Sequence, residues 1–393
     1  MWRTHALTFV NGTVVGADGR FYESIRVRGR TVDRLGGPPG RRDVVIDLDR
    51  AIVLPGLINA HDHLELNSFT RLKWRPRYVN VRQWIADFQP RFQTEPRLAA
   101  ARRETLPDRL WVGGLKNVLS GVTTVSHHNP LHRPLRDRFP VRIVRRFGLS
   151  HSLQIDGSSV ARAYRKTPHD WPWIIHAAEG IDDEARSEIE TLGELGCLGP
   201  NTVLVHGVAI NGGIEPLLET GASLVWCPTS NQFLFGCTAN VGRFDHAGRL
   251  AIGTDSRLSG EGDLLDEIRA AHRTRQIPPA SIVRAVTTQA ATMLRLPGAG
   301  VLTPGGPADL TILSRVADDP FESVVLSSRQ DLRLTMRDGE PLVADSGLAE
   351  VFHARREPST RAWVDGSERL LARWIAKRAA RLGDGEPGLR VEA

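Results

Sequence analysis

Two histidines separated by one residue stand directly after a long apolar run and could together bind a metal ion. His61 and His63 flank Asp62 at the end of the run 51–63. Because residues i and i+2 of a strand point to the same side, both imidazoles can face one spot. Histidine is a common zinc ligand, although two histidines at this spacing also arise by chance. The pair alone makes a metal site a hypothesis that needs further ligands.

Further candidate ligands end other strand-like runs of the chain. His176, His206 and Asp255 each follow a run of apolar residues. In an α/β barrel the carboxyl ends of all strands meet on one face, where active sites form. Imidazole nitrogens and a carboxylate suit Zn²⁺, with a water completing the shell. The alternative, buried structural histidines, is less favoured because five such groups stand at strand ends.

A carboxylate that could carry protons lies near one of these groups. Glu179 follows His176 by three residues in the segment HAAE. Past the strand end the chain can turn back, so Glu179 could face a metal-bound water. A metal lowers the pKa of bound water from 15.7 to about 7, and a carboxylate can pass the released proton to a leaving nitrogen. Electrophile, nucleophile and proton shuttle together predict a hydrolytic enzyme.

The elements that must position these residues alternate between strand-like and helix-like segments in the middle of the chain. Apolar runs such as 121–128 and 202–210 are followed by spacers of helical periodicity, and several of these end in glycine. Such alternation predicts a parallel sheet. The region 128–172 is short for the two strand–helix units that a barrel needs there, so strands three and four are the least defined.

Both ends of the chain read differently from the middle. Residues 6–48 form short β-segments with a hairpin predicted at Asn11-Gly12, and residues 299–345 return to β-segments. The stretch from Pro358 onward is typical of a basic amphipathic helix packed on the domain. We therefore expect a small β-domain assembled from both chain ends, with an α/β barrel inserted between them. The predicted domains are the composite β-domain (1–54 and 299–345), the barrel (55–298) and a C-terminal helical extension with a tail (346–393).

Six motifs, taken in order along the chain, resemble those of the amidohydrolase superfamily. They are PGLINAHDH, GVTTV, HAAEG, VLVHG, CPTSN and GTDS. The resemblance is to the deaminase-like branch, which includes cytosine and guanine deaminases and triazine hydrolases, and it spans about residues 1–345. It implies a distorted (β/α)8 TIM barrel with a composite β-sandwich domain built from both chain ends. It also implies one divalent metal, for which zinc is expected and iron or manganese are alternatives.

The resemblance assigns a role to each candidate residue. The implied metal ligands are His61, His63, His176 and Asp255. Glu179 corresponds to the proton shuttle, His206 to the histidine that contacts the bound water or the developing oxyanion, and Asp255 also to a base acting on the water. Relatives with two metals bridge them with a lysine or glutamate on strand four. Lys166 lies in a segment that does not read as a strand, so one metal is expected.

Substrate contacts are predicted for five further residues: His127, His128, Trp74, Asn231 and Arg257. One of the two adjacent histidines could line the pocket, although a hydrogen-bonded structural role is about as plausible. Trp74 could stack on a planar substrate or pack within lid helices. Asn231 could hydrogen-bond a polar ligand. Arg257 could bind a carboxylate or phosphate, with structural ion pairing as the alternative.

Composition limits the partners and the compartment. Of 51 basic residues 47 are arginines, a bias that a GC-rich genome explains better than a nucleic-acid surface does. An arginine-rich stretch at 132–146 could bind an acidic ligand, although a solvated surface is the plainer interpretation. Without a long apolar run, a secretory signal or paired cysteines, we expect a cytoplasmic protein that does not bind membranes. A homodimer would be compatible with these features.

Two enzymatic hypotheses stay open at this point. The favoured one is deamination of a planar amino-heterocycle or amidine-like substrate, because leaving ammonia needs a proton that Glu179 could supply. The alternative is hydrolysis of an amide, a lactam or another C–N or C–X bond at the same site. A scaffold protein on an inactive barrel would have lost ligands, whereas all six expected groups are present. We therefore expect a small-molecule substrate.

Overall fold

The computed structural model of the protein describes residues 5–210 and 214–392. Its first part consists of seven short strands: β1 (Leu7–Val10), β2 (Thr13–Val15), β3 (Phe21–Tyr22), β4 (Ile25–Arg28), β5 (Thr31–Leu35), β6 (Val44–Asp47) and β7 (Ile52–Pro55). The hairpin predicted at Asn11-Gly12 is wrong, because β1 pairs with β4 and β6 whereas β2 pairs with β3 and β7. Asn11, at φ +56°, instead carries the chain from one sheet into another.

Eight parallel strands of the described chain carry or directly precede most of the candidate catalytic and metal-binding residues. They are β8 (Leu57–Asp62), β9 (Val122–His127), β10 (Arg142–Ile143), β11 (Gly148–Ser152), β12 (Trp173–Ala177), β13 (Thr202–His206), β14 (Ser223–Trp226) and β15 (Leu250–Ile252). They form one sheet in the order β10-β9-β8 and a second in the order β11-β12-β13-β14-β15. A parallel bridge between Asp62 and Asp255 joins the ends of β8 and β15. The predicted α/β fold with parallel strands is confirmed.

The apolar run 51–63 divides into two strands of different sheets. Gly56 separates β7 from β8, and a Cβ atom at this position would lie only 2.3–2.8 Å from side-chain atoms of Thr123. A side chain is therefore excluded where β8 packs against β9. The boundary between the predicted β-domain and the predicted barrel falls at this glycine.

Twelve helices lie among or after these strands in the described ranges. They are α1 (Val81–Arg91), α2 (Ala99–Arg103), α3 (Leu106–Val118), α4 (Leu153–Asp156), α5 (Val160–Lys166), α6 (Asp183–Glu194), α7 (Ile214–Glu219), α8 (Pro228–Phe235), α9 (Gly242–His246), α10 (Leu264–Thr274), α11 (Pro279–Ala285) and α12 (Thr288–Met293). The longer ones carry N-caps that explain where they begin: Thr105 accepts from the backbone of Asp108, and Asp263 forms a capping box with Asp266. None of the helices in the described ranges is both long and apolar enough to span a bilayer.

The C-terminal part returns to an antiparallel sheet. Its elements are β16 (Leu310–Leu313), α13 (Pro320–Leu326), β17 (Leu332–Arg337), β18 (Glu340–Asp345), α14 (Ala349–Arg355), β19 (Ser359–Val364), β20 (Ser367–Ala372), α15 (Arg373–Leu382) and β21 (Leu389–Val391). They join the N-terminal strands in one nine-stranded sheet of order β21-β19-β20-β18-β17-β16-β7-β2-β3. Strands from both chain ends therefore share this sheet.

The predicted helical extension over 346–393 is wrong for much of its length. Asp365-Gly366 turns the chain through positive φ values of +50° and +84°, so β19 and β20 form a hairpin. Leu371 then pairs with Val343 of β18. Asp-Gly between apolar segments is a strong hairpin signal. Only residues 373–382 are α-helical from Pro358 onward.

Candidate active site

Four side chains from three strands converge where the parallel strands end. His61 and His63 stand at the end of β8, His176 lies in β12, and Asp255 follows β15. Nε2 of His176 lies 3.2 Å from Nε2 of His61 and 3.3 Å from Nε2 of His63. Asp255 Oδ1 lies 3.6 Å and 3.5 Å from the same two nitrogens. All four side chains are buried, and one candidate ligand atom from each lies within 4.8 Å of the others.

The protonation of the imidazoles suits a bound cation. Nδ1–H of His176 donates to the backbone carbonyl of His151 at 2.8 Å, so its Nε2 carries a free lone pair. Burial lowers the pKa of His61 to about 4 and holds the pKa of His176 well below its ordinary value. Both rings are therefore neutral at pH 7. Neutral imidazole nitrogens that converge beside a carboxylate fit a divalent metal such as Zn²⁺.

Asp255 is held as an anion at the edge of this cluster. Burial opposes its charge, but the nearby imidazoles of His61, His206 and His63 hold the pKa of its carboxyl below the ordinary range. The hydroxyls of Ser230 and Ser259 donate to its Oδ2 atom at 2.8 Å and 2.7 Å. These two bonds fix the carboxylate so that Oδ1 faces the histidines, which is the support that metal-ligating carboxylates commonly have.

Three residues near the strand ends adopt left-handed backbone conformations that residues other than glycine rarely take. The φ angle is +54° at Ala178, +76° at His206 and +57° at Asp255. Such a conformation costs about 1–3 kcal/mol and clusters at functional sites. Each residue ends a parallel strand or follows one within three positions. The strained turns therefore coincide with the positions that carry the candidate chemistry.

Glu179 lies beside the metal-ligand cluster and is buried with it. Its Oε1 atom lies 3.6 Å from Nε2 of His206. Burial and the carboxylates of Asp255 and Glu188 raise the pKa of Glu179 well above its ordinary value, so this group can hold a proton near neutral pH. Glu188 also fixes the local turn, because its Oε2 accepts the backbone N–H of Ala178 at 2.7 Å.

His206 lies between Glu179 and Asn231, and the predicted contact of Asn231 with a ligand is not seen in the described part of the pocket. Nδ1–H of His206 donates to Oδ1 of Asn231 at 2.9 Å, which leaves Nε2 of His206 unprotonated on the side of Glu179. Asn231 is fully buried, and the described part of the pocket wall does not include it. Its contact therefore orients His206.

A pocket of about 280 Å³ opens over the cluster. Its polar lining consists mainly of His63, His151, His176, Glu179, His206 and Asp255. Much of the remaining lining is apolar and includes Trp84 and Phe88, whose rings stack with centroids 5.0 Å apart. Among the described residues no lysine or arginine lines this pocket, so it suits an uncharged planar ligand.

The two adjacent histidines at the end of β9, His127 and His128, have structural contacts outside the described part of the pocket. His128 donates from Nε2 to the carbonyl of Ser150 at 3.1 Å, and Nδ1 of His127 accepts the N–H of Leu64 at 3.3 Å. Both side chains are buried, and neither lines the described part of the pocket. Of the two interpretations left open by the sequence, the hydrogen-bonded structural one describes both residues.

Trp74 and Arg257 are also engaged outside the pocket, as far as the described residues show. The Trp74 ring packs against Phe88, with centroids 6.1 Å apart, and so supports the aromatic wall from behind. The Arg257 guanidinium makes two hydrogen bonds of 2.7 Å with the Glu386 carboxylate. The structural ion pairing that the sequence left open therefore describes Arg257 in this structure.

His151 lines the pocket and was missed by the sequence-based predictions. It lies in β11, and its ring centroid is 4.7 Å from that of the metal-ligand candidate His176. Burial lowers the pKa of His151 to about 4. The available signal was the same as for the other histidines, a position near a strand end. The segment GLSHS is too short and too polar to be recognised as a buried strand.

A second unpredicted feature is a buried polar cluster behind the metal-ligand turn. We call it the Lys116 cluster; it comprises Asp62, Asn67, Lys116, Asn117 and Thr254. Nζ of Lys116 lies 2.9 Å from Asp62 Oδ2 and donates to Asn67 Oδ1 at 2.8 Å and to Thr254 Oγ1 at 2.9 Å. Asn117 Nδ2 donates to Asp62 Oδ2 at 2.7 Å. Lys116 and Asp62 are both 0% exposed, a burial that charges tolerate when paired and fully hydrogen-bonded.

Parallel strands that end in three histidines and an aspartate define the site of a metal-dependent hydrolase, and comparison with known proteins shows which family part of the chain matches. Residues 169–342 match the amidohydrolase family. The chain therefore contains an amidohydrolase family domain, and the resemblance inferred from its motifs is confirmed. The family match and the ligand cluster together confirm the predicted class, a hydrolase with a divalent-metal site.

Individual relatives extend this comparison over most of the chain. It is 27% identical over 366 residues to a 5-methylthioadenosine/S-adenosylhomocysteine deaminase of Halobacterium salinarum, covering 77% of this chain and 84% of that protein. It is 24% identical to an 8-oxoguanine deaminase of Pseudomonas aeruginosa, covering 81% and 89% respectively. The structure of atrazine chlorohydrolase from Arthrobacter aurescens complexed with zinc matches with a TM-score of 0.70 at 18% identity, covering 88% and 99%. This likeness shows a TIM-barrel-like fold.

Proposed function

We propose that this chain is a zinc-dependent deaminase of an uncharged amino-heterocycle. The observation that carries the proposal is Glu179, a buried carboxyl with a raised pKa that lies 3.6 Å from the unprotonated Nε2 of His206. Departing ammonia needs a proton, and a group that is protonated near neutral pH can supply it. Two relatives that align over more than three quarters of this chain and are named deaminases support the same reaction.

The chain's own residues supply the groups that deamination needs. A divalent ion at the four-ligand cluster would supply Lewis acidity and a water that ionises near neutral pH. His206 would accept a hydrogen bond from that water at Nε2, held in place by Asn231. Asp255 would take a proton from the water as it attacks the C–NH₂ carbon. Glu179 would deliver a proton to the leaving nitrogen, and the proton taken by Asp255 would restore Glu179 once ammonia has left.

The pocket supports a small, flat and neutral substrate. Its volume of about 280 Å³ is at the lower limit of typical ligand pockets, about 300–1,000 Å³, and fits a heterocycle of one or two rings. The stacked rings of Trp84 and Phe88 supply an aromatic surface on which such a ring can lie. The absence of lysine and arginine from the described lining disfavours substrates with a phosphate or carboxylate.

The experiment that tests the proposal is ammonia release by the zinc-loaded protein across amino-purines, amino-pyrimidines, pterins and triazines. Glu179→Gln is the control, because it keeps the shape of the side chain and removes its acidity. We expect at least one substrate to release ammonia with the wild-type protein and to be inert with the variant. Silence across the whole panel with zinc bound would refute deamination. Amide or other C–N bond hydrolysis would then be tested on non-aromatic substrates.

We further infer that the eight parallel strands form one distorted (β/α)8 barrel and that strands from both chain ends form a composite β-sandwich domain. The bridge between Asp62 and Asp255 and the nine-stranded sheet shared by both ends support this division at about residues 54 and 299. The strands β19 to β21 extend the composite domain beyond residue 345. Limited proteolysis is expected to cut near these boundaries before it cuts the barrel.

The proposed setting of the enzyme is the cytoplasm, with small-molecule substrates and without nucleic-acid or membrane partners. The three cysteines, Cys197, Cys227 and Cys237, are free, which supports a reducing compartment. A homodimer stays a prediction, and light scattering of the purified protein measures it directly. A mass of about 43.4 kDa in solution would exclude the dimer.

A further inference from the structure

The arginine-rich segment singled out in the sequence lines a second cavity, separate from the pocket over the metal ligands. This cavity has a volume of about 550 Å³ and shares no described lining residue with the pocket over the metal ligands. Six arginines line it: Arg138, Arg142, Arg145, Arg146, Arg295 and Arg337. Four of them belong to the segment 132–146, and the other two come from the ends of α12 and β17. Three separate parts of the chain therefore bring guanidinium groups to one cleft.

Carboxylates neutralise only part of this positive charge. Two aspartates, Asp137 and Asp338, line the cleft. Asp338 is shared by Arg142 and Arg30, each at 3.1 Å. Arg142 also pairs with Asp309, and Arg138 lies 3.8 Å from Glu357 and 4.0 Å from Glu340. The remaining four arginines have no carboxylate within 4 Å among the described residues.

Arg337 is the arginine of this cleft that shows most directly how few partners the positive charges have. Its guanidinium is partly buried, and its described hydrogen bond is one of 2.9 Å to the carbonyl of Phe139. Burial and the positive charge of Arg142 lower the pKa of Arg337, and the carboxylates of Asp309, Asp338 and Glu340 offset only part of that effect. A guanidinium carries five N–H donors, so most of the hydrogen-bonding capacity of Arg337 is free for a ligand. An anion in the cleft would satisfy these donors and relieve the repulsion.

We propose that this cleft binds the diphosphate group of a small molecule. Guanidinium groups match phosphate oxygens in paired, charge-assisted hydrogen bonds. The volume is that of a small-molecule site, and apolar residues such as Phe139 and Leu296 in the lining provide a surface for the body of a nucleotide. Inorganic pyrophosphate presents the same diphosphate chemistry without that body. The inference does not depend on the proposed deaminase activity.

Calorimetric titration of the zinc-loaded protein with UDP, inorganic pyrophosphate and uridine tests this site, because uracil has no amino group and lies outside the proposed substrates of the catalytic pocket. We expect one molecule of UDP or pyrophosphate per chain, weaker binding at higher salt, and no comparable binding of uridine. Arg145→Gln/Arg146→Gln should weaken diphosphate binding at least tenfold, because a hydrogen bond to a charged group contributes about 1.5–3 kcal/mol. Tighter binding of UDP than of pyrophosphate would identify a nucleotide as the ligand, and equal binding a free polyphosphate.

The matched control is Arg41→Gln/Arg42→Gln, which removes two adjacent exposed arginines outside the cleft. This variant should bind as the wild-type protein does. Arg337→Met provides a second test of the same cleft and should also weaken binding. The proposal is overturned if neither diphosphate binds saturably. It is also overturned if binding survives both cleft variants, or if the control pair weakens it equally.

Discussion

Two buried polar clusters meet at the turn of residues 61–63 and differ in whether their own hydrogen bonds satisfy them. His61 and His63 contribute to the metal-ligand cluster, whereas Asp62 between them belongs to the Lys116 cluster. Both clusters lie at the same strand ends and consist of side chains that are costly to bury. Their difference shows which of the two is built to receive a ligand.

The Lys116 cluster is closed. The ammonium group of Lys116 has three N–H donors, and three acceptor atoms of neighbouring residues lie 2.8–2.9 Å from its nitrogen. In the metal-ligand cluster, by contrast, imidazole nitrogens approach to 3.2–3.3 Å although burial keeps the His61 and His176 rings neutral. Such a cluster is completed by a cation. Burial of polar groups alone therefore does not identify a binding site; a shortage of partners does.

The largest effect is expected from removing one ligand of the metal-ligand cluster. We expect His61→Ala to reduce bound zinc from one per chain to almost none and to abolish ammonia release, because the protein then offers only three ligands. Metal analysis after dialysis measures the stoichiometry. The exposed His169 provides the control, since His169→Ala should keep both zinc and activity. Zinc at the wild-type ratio in His61→Ala would show that the ligand assignment is wrong.

The proton carrier can be separated from the metal ligands. Glu179→Gln should keep zinc and lower kcat by about 10²–10⁴-fold, the usual size of a general acid–base contribution. Steady-state kinetics together with metal analysis measure both quantities. Glu190→Gln changes an exposed glutamate of α6 in the same way and should leave kcat unchanged. Full activity in Glu179→Gln would remove Glu179 from the mechanism.

In the Lys116 cluster, removing one charge should lower the stability of the fold. Lys116→Met leaves the Asp62 carboxylate buried without its partner, and breaking a buried ion pair costs about 3–5 kcal/mol. The double variant Lys116→Met/Asp62→Asn removes both charges and should recover most of that loss. Urea unfolding of the metal-free proteins measures the free energies. If the single variant is as stable as the wild-type protein, the ion pair contributes nothing to folding.

The residues of the metal-ligand cluster could be predicted because each of them has a local signal in the sequence. His61, His63, His176 and Asp255 each follow an apolar run, and motif order added the roles of Glu179 and His206. The Lys116 cluster has no such signal. Lys116 lies on a helix 54 positions after Asp62, and only the packing of α3 against the end of β8 brings them together.

The errors in the predicted fold have a similar physical origin. Leu370, Leu371 and Trp374 are spaced as on a helix, yet Leu370 and Leu371 lie in β20 because strand pairing overrides that pattern. The Asp365-Gly366 turn was the local signal that favoured the hairpin. Arg257 and Asn231 were expected to contact substrate, but their partners Glu386 and His206 come from distant parts of the chain. Long-range partners decide whether a polar residue supports a site or faces it.

The smallest effect is expected for the pH dependence of zinc binding, which tests how far the metal-ligand cluster is shielded from water. Three histidine ligands with an ordinary pKa of about 6.5 would each be about three-quarters protonated at pH 6, and together they would weaken zinc binding roughly 60-fold relative to pH 8. Burial lowers the pKa of His61 to about 4 and that of His176 well below its ordinary value, so these two ligands stay neutral throughout that range. Their share of the affinity should be lost only as the pH falls toward these lowered values. We therefore expect competition with a zinc chelator to give affinities at pH 6 and pH 8 within about fivefold of each other, about the loss that a single ordinary histidine would cause. A loss of about 16-fold or more at pH 6 would mean that the metal-ligand cluster is as solvated as an exposed histidine pair, and its contrast with the closed Lys116 cluster would disappear.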